Sequence, residues 1–322
     1  MSLYYEDFPA DDGAEPQLPP LLTAVKVPSG QNVMAKALAS GATAEVGTVF
    51  YGEDTDVTDI ALVLGPEVPL RKAGQMLYAM MIGVGDAIGA LAPPEVIVAY
   101  QLPGYVLLNR GRAGAVWISA DPAAGREDMP SWMVVGVRID MAVRTGNEDV
   151  WRDESGLEYT SLAEEGAGFI SRTRLIESIC RHFLAWVNRW QDDGFRPLHD
   201  LWVQRLESGS EMVLADGNIA EWVGLDEDGA ALIKLDGKPV GELAAIHPDG
   251  LFFGKVKIRK RQPLRYVAHY GDGGDHAHHT KEAPARAEAV AASSLGTDAL
   301  VFRLRRRVRR ARCARATRHE AG

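Results

Sequence analysis

At 322 residues and 46% apolar composition the chain can bury a sizeable core, enough for one large domain and a smaller one. The net charge of −9 conceals an asymmetry: residues 303–318 hold nine arginines and no acid, which leaves −18 on the rest, a body too acidic to bind nucleic acid by neutralising phosphates. No run of about 18 uncharged apolar residues exists, so no membrane span is expected, and the acidic start MSLYYEDFPADDGAEP lacks the basic-then-apolar order of a secretory signal, which makes the cytoplasm the expected location.

Residues 1–20 are acidic and proline-punctuated, with little apolar content, and are expected to form a flexible lead. SGQNVMAKALASGA then offers a polar start, apolar Val33, Met34, Ala37 and Leu38 at helical spacing, and a Gly41 stop. GTVFYGED and DIALVLGPEVP read as the first two strands. LRKAGQMLYAMMIGVGDAIGAL puts Leu77, Met81, Val84, Ile88 and Leu91 on one face of a helix that its glycines weaken. EVIVAYQL, GYVLLN, AGAVWISA and SWMVVGVRIDM are four further strands, with a tight turn at Asn109-Arg110-Gly111 that suits a hairpin. Leu175, Ile176, Ile179, Cys180, Phe183, Leu184 and Val187 follow three-four spacing in a long helix, with Gly194 just past its end. PLHDLWVQRL is a shorter helix.

Beyond it the texture changes to short strands separated by Asp-Gly turns, which marks a second, all-β module. The expected division is a lead at 1–20, a main domain at 21–206, a β module at 207–265, and a linker with an arginine-rich tail at 266–322. Cys180 and Cys313 make neither a disulfide framework nor a metal site, and Cys180 belongs to the core. His276, His278 and His279 lack flanking structure and are read as adventitious metal binders. The tail is either an arm for nucleic acid or an acidic partner or an extension unrelated to the body.

The order helix, strand, strand, helix, paired strands, long helix, short helix and β module resembles the biotin/lipoate A/B protein ligase family. GQNVMAKAL is similar to the helix start that lines the family's acyl slot, with Gln31 and Asn32 on its last two positions. LPGYVLLNRGRAGAV resembles the strand, turn and Gly-rich strand that receive the acyl group, which places Ala113, Gly114 and Ala115 there. VVGVRID resembles the following strand, with Gly136 and Asp140 at matching places. VGLDEDGAALIKLDGKPVGE is similar to the family's SH3-like cap. The resemblance covers about 21–246 and is closest to a shortened, divergent bacterial branch.

The resemblance implies an α+β fold, a mixed sheet with helices packed on one side, followed by a small SH3-like β-barrel. It also implies a ligase that uses ATP and Mg²⁺ to activate a carboxylate such as biotin, lipoate or octanoate as an acyl-adenylate. The acyl group then passes to a lysine of a biotinyl or lipoyl carrier domain. Such chemistry needs cations around the developing charge and a dry slot for the acyl chain.

Three departures bear on that chemistry. Where the family's arginine-rich adenylate loop should follow Gly52-Glu53-Asp54, the chain reads TDVTDIALVL, and Asp56 and Asp59 would repel a phosphate unless a metal intervened. The family's lysine falls on Gly111; Arg112, the candidate catalytic cation, comes one place later, on the opposite strand face unless the turn shifts register. LPGY at 102–105 lacks the carboxylate of the family's corresponding motif. Two functions therefore stand: a ligase, or a homologue that binds the acyl ligand or the carrier domain without adenylation.

Overall fold

The computed structural model describes residues 14–102, 104–142, 159–207, 210–214, 219–235, 243–246 and 256–260. The expected linker, the histidine tract, Cys313 and the arginine-rich tail lie outside them.

The main sheet has seven strands: β1 (Thr23–Val27), β2 (Thr48–Gly52), β3 (Val57–Leu64), β4 (Val98–Gln101), β5 (Tyr105–Leu108), β6 (Gly111–Ala120) and β7 (Met133–Asp140). Their order is β1-β2-β3-β7-β6-β5-β4, with β1 parallel to β2 and every other pairing antiparallel. The hairpin expected at Asn109-Arg110 is present, with Leu108 opposite Gly111. Both loop residues have positive φ, 45° and 76°, the conformation a two-residue hairpin loop needs to match strand twist.

Among the described residues there are five helices: α1 (Val33–Ser40), α2 (Leu70–Ala73), α3 (Met76–Leu91), α4 (Arg172–Asp193) and α5 (Arg196–Gln204), of which α1, α3 and α4 pack directly on this sheet. They do not all lie on one side, as the sequence led us to expect. Met133, Val135, Val137 and Ile139 of β7 face a large core shared with α3, α4 and α5, while Val134 faces a smaller core with Val33 and Ala37 of α1. The period-two alternation of the strand thus separates two covered faces, and β2 is buried along its whole length.

The long helix expected over 70–91 is broken at Gly74-Gln75 into α2 and α3, and α3 is not amphipathic: residues 76–85 are all buried. The stretch Leu70–Leu91 is apolar enough by composition to cross a membrane, yet 78% of its apolar 18-residue window is buried inside the fold. Its glycines are contact points. A Cβ on Gly83 would stand 3.0 Å from the backbone nitrogen of Phe183 in α4, and one on Gly85 would stand 2.2 Å from the Tyr100 hydroxyl. Small residues there let α3 approach α4 and β4 closely.

The lead is packed from residue 14 onward, short of the flexibility expected as far as Pro20. Pro16 is buried, Leu18 leans on the large core, and the Gln17 N–H donates to the Glu177 carboxylate of α4 at 2.8 Å.

A second sheet of β8 (Ser210–Leu214), β9 (Ile219–Leu225), β10 (Ala231–Leu235), β11 (Leu243–Ile246) and β12 (Val256–Lys260) is antiparallel throughout, in the order β11-β10-β9-β8-β12. Its Asp-Gly turn at 226–229 is built as the sequence indicates: Asp226 Oδ1 accepts from the N–H groups of Asp228 and Ala230, and Gly229 has φ 85°. That turn docks on α3. The Tyr78 hydroxyl donates to the Gly229 carbonyl at 2.6 Å, Gln75 Nε2 to the Asp228 carbonyl at 3.0 Å, and Arg71 pairs with the Asp228 carboxylate at 3.2 Å. Tyr78→Phe removes a fully buried donor from a buried carbonyl, and should cost about 1–3 kcal/mol in urea denaturation.

Candidate functional site

The face covered by α1 carries the polar chemistry. Asp59 of β3 lies opposite Arg138 of β7, and Val57 opposite Asp140, so both carboxylates and the guanidinium share this face with Gly136 and Ala115. Met34 of α1 packs on it, since a Cβ on Gly136 would stand 2.8 Å from the Met34 sulfur. Asn32 caps α1 by accepting from the Ala35 N–H at 2.7 Å, and the loop before it is laced to the β2–β3 turn. The Ser29 hydroxyl donates to Asp54, the Ser29 N–H donates to Glu53 at 3.3 Å, and Lys26 pairs with Glu53 at 3.2 Å.

Arg112 reaches this face through a bulge. Tyr105 pairs with Ala115 and Val106 with Gly114, but Leu107 pairs with Arg112, so Ala113 is an extra residue on β6. A bulge shifts every following side chain by one place. Ala113 joins the large core, while Arg112 comes opposite Leu107, on the side of Tyr105. Its guanidinium carbon lies 3.8 Å from the centroid of the Tyr105 ring and 5.5 Å from that of Tyr159, a stacking that suits a planar cation. Position 111 itself is closed: a Cβ there would stand 2.7 Å from the Thr160 methyl carbon.

Only residues 53–56 join β2 to β3, and three of those four are acidic. The surroundings are acidic as well. Burial pushes the Asp59 carboxyl up to about 6; Arg138 at 3.4 Å opposes the shift, and Asp54 and Asp140 add to it. Burial likewise raises Asp140 to about 6, against the pull of Arg138 and Arg112 and with the help of Asp56. No group of three or more His, Cys, Asp or Glu among the described residues is disposed to hold a metal ion.

These shifts set a sign for stability. A carboxyl whose folded value lies above its unfolded one binds its proton more tightly in the native state. Its contribution is therefore complete below about pH 4 and is lost as pH rises through about 6, by on the order of 3 kcal/mol for a shift of this size. The stability of the parent chain relative to Asp140→Asn should fall over that interval, read from urea denaturation at stepped pH. A difference independent of pH would contradict the burial of the charge.

Of the residues singled out from the sequence, Arg112, Ala115, Gly136 and Asp140 come together on the α1 face. Gln31 and Asn32 stand at the start of α1, the first exposed and the second occupied as a cap. Ala113 and Gly114 are not brought to this face; a Cβ on Gly114 would stand 2.1 Å from the Arg138 carbonyl oxygen of the neighbouring strand. Arg138, Tyr105, Tyr159 and Thr160 complete the surroundings and were not singled out. Period-two alternation through Gly136-Val137-Arg138-Ile139-Asp140 carries the signal for Arg138; nothing local carries it for the two tyrosines.

The sequence model of the Biotin/lipoate A/B protein ligase family matches residues 18–204. A biotin–[acetyl-CoA-carboxylase] ligase of Paracoccus denitrificans is 24% identical over 178 residues, 54% of this chain and 72% of that protein. A bifunctional ligase/repressor of Bacillus spizizenii is 24% identical over 211 residues, 64% of this chain and 62% of its own length, so this chain spans less than two thirds of that relative. Among solved structures, a biotin protein ligase-like protein of unknown function from Silicibacter superposes with a TM-score of 0.65 at 31% identity, covering 74% of this chain and 99% of that one. The biotin protein ligase of Aquifex aeolicus, in complex with biotin and ATP, shares the fold at 14% identity with a TM-score of 0.55, covering 74% of this chain and 98% of that one. The chain belongs to the biotin/lipoate A/B protein ligase family.

Proposed function

We propose that this chain uses the ligase fold to bind a small acyl ligand of the biotin, lipoate or octanoate type, or the carrier domain that bears it, without forming an acyl-adenylate. The observation that carries this reading is the four-residue acidic turn between β2 and β3. An adenylating site needs preorganised cations around the phosphates, whereas this turn presents Glu53, Asp54 and Asp56, with the half-buried Asp59 just beyond it, and the nearby cations are already engaged: Lys26 by Glu53, Arg138 by Asp59 and Arg172 by the Gly52 carbonyl. In this reading the residues of the turn do not fit a nucleoside triphosphate. Position 111, where the resemblance sets the family's lysine, is closed by Thr160. In this reading Arg112, Ala115, Gly136 and Asp140 line the ligand face, with Gln31 and Asn32 at its rim. The five-stranded sheet is an SH3-like cap, docked through the turn at 226–229, on a main domain at 21–206.

A second reading is that the chain activates the carboxylate with ATP and Mg²⁺ and transfers it to a carrier lysine. One observation favours it: the bulge turns Arg112 onto the ligand face, where an electrophilic cation would stand. Isothermal titration of the full chain with biotin, lipoate and octanoate, each as free acid and as methyl amide, separates the two. The first reading expects saturable binding of at least one probe, unchanged within about twofold by ATP and Mg²⁺. Absence of binding by every probe and by an acylated biotinyl or lipoyl carrier domain, or binding that requires nucleotide, contradicts it.

A further inference from the structure

We infer that the ligand form taken by the α1 face is a neutral, amide-linked acyl group, the form an acyl chain has once joined to a lysine, and not the free carboxylate. The inference rests on the acyl-binding reading above and names the substrate class of that same face.

Among the described residues the groups gathered here are Asp54 and Asp56 of the β2–β3 turn, Asp59 of β3, Arg138 and Asp140 of β7, Arg112 of β6, and the rings of Tyr105 and Tyr159. Two guanidiniums stand among these four carboxylates, and at the start of the turn Lys26 pairs with Glu53 at 3.2 Å while Arg172 donates to the Gly52 carbonyl. Arg138 is held by Asp59 at 3.4 Å, with the Asp59 side chain only 15% exposed. Arg112 lies flat on Tyr105 and its charge acts on Asp140. Arg138 is thus held by a carboxylate of the chain itself, and Arg112 lies over an aromatic ring within reach of the Asp140 charge.

A ligand carboxylate arriving at Arg138 would have to displace Asp59, leaving a largely buried carboxylate without its cation, which is strongly unfavourable, and one arriving at Arg112 would share that cation with Asp140. It would also meet Asp54 and Asp56. No side chain at position 111 can add a third cation, because Thr160 fills that space. An amide escapes each of these conflicts. Its carbonyl accepts from a guanidinium while its N–H donates to a carboxylate, whereas a carboxylate ion accepts only. It adds no charge to a face that already carries an excess of negative groups.

The test is isothermal titration of the full chain with matched pairs: biotin and biotin methyl amide, lipoate and lipoamide, octanoate and octanamide. At pH 7.5 the amide of the preferred pair should bind at least about tenfold more tightly than its acid, a gap of about 1.4 kcal/mol. The gap should narrow as the pH falls from 7.5 to 6, where Asp59 and Asp140 begin to take up protons while the ligand acids stay ionised, and Asp140→Asn should narrow it at pH 7.5 by strengthening the acid. The pH series on the parent chain needs no variant and decides the matter if the substitution impairs folding. An acid that binds as tightly as its amide at pH 7.5 overturns this inference and leaves the acyl-binding reading standing. Failure of all six probes and of an acylated biotinyl or lipoyl carrier domain to bind overturns that reading, and this one with it.

Discussion

Gly114→Val is expected to abolish a cooperatively folded main domain or to cost it about 3 kcal/mol or more. The cause is backbone geometry: a Cβ at this position would stand 2.1 Å from the Arg138 carbonyl oxygen and 3.0 Å from the Ile139 Cα, atoms of the adjoining strand that cannot rotate away. Relief requires β6 and β7 to separate at the bulge, with strain at or above the upper end of what overpacking normally costs. The substitution would also disturb the register that delivers Arg112 to its face. Gly89 in α3 is the internal control, since a Cβ there meets nothing within 4 Å and the residue is exposed. Gly89→Ala should stabilise by roughly 0.5–1 kcal/mol through helix propensity. Thermal melts of both variants read the contrast; a Gly114→Val protein that melts like the parent would contradict the described packing of β6 on β7.

Trp202→Ala should destabilise the protein by about 3–5 kcal/mol, the range for removing a buried aromatic. Trp202 is 0% exposed and joins three elements. Its ring stacks on Tyr100 of β4 at 6.2 Å and 8°, meets Tyr78 of α3 edge-on at 5.1 Å, and its indole N–H points at the Met81 sulfur at 3.3 Å. Because Tyr78 is the same residue that donates to Gly229 in the second sheet, the loss should also loosen that sheet. Urea denaturation followed by limited proteolysis checks both effects: a lower midpoint, with early cleavage in the β module. A loss below about 1 kcal/mol would mean that the cavity collapses or that α5 is not a structural wedge.

The elements carried by local chemistry were legible in the sequence. The hairpin at Asn109-Arg110, the turn ending at Gly229, the α4 spacing and the Gly194 stop each rest on residues adjacent in the chain. β1 was missed because it is an edge strand with one neighbour, and among its five residues only Val27 is buried, so its alternation is faint. The glycines of α3 look like weak points in isolation, since the partners that demand them, Phe183 and Tyr100, come from distant elements. The candidate site was half legible. Gly136 and Asp140 share a face by simple alternation, but Arg112 joins them only because Ala113 is a bulge, and one inserted residue reverses the parity that a sequence reader counts. The resemblance places Ala113 and Gly114 on the strand that receives an acyl group, a role that local sequence cannot separate from close strand packing. Gly114 instead makes room for the backbone of β7.

The proposed function holds that this member of the family keeps the ligase architecture but not the means to adenylate. ATP–pyrophosphate exchange tests it directly, with full-length protein, ATP, Mg²⁺ and, in turn, biotin, lipoate and octanoate. The account predicts no exchange above the protein-free control for any of the three, from protein that is shown in the same preparation to bind an acyl probe. Acid-dependent exchange, abolished by Arg112→Ala, would contradict it and establish Arg112 as the cation of an active ligase.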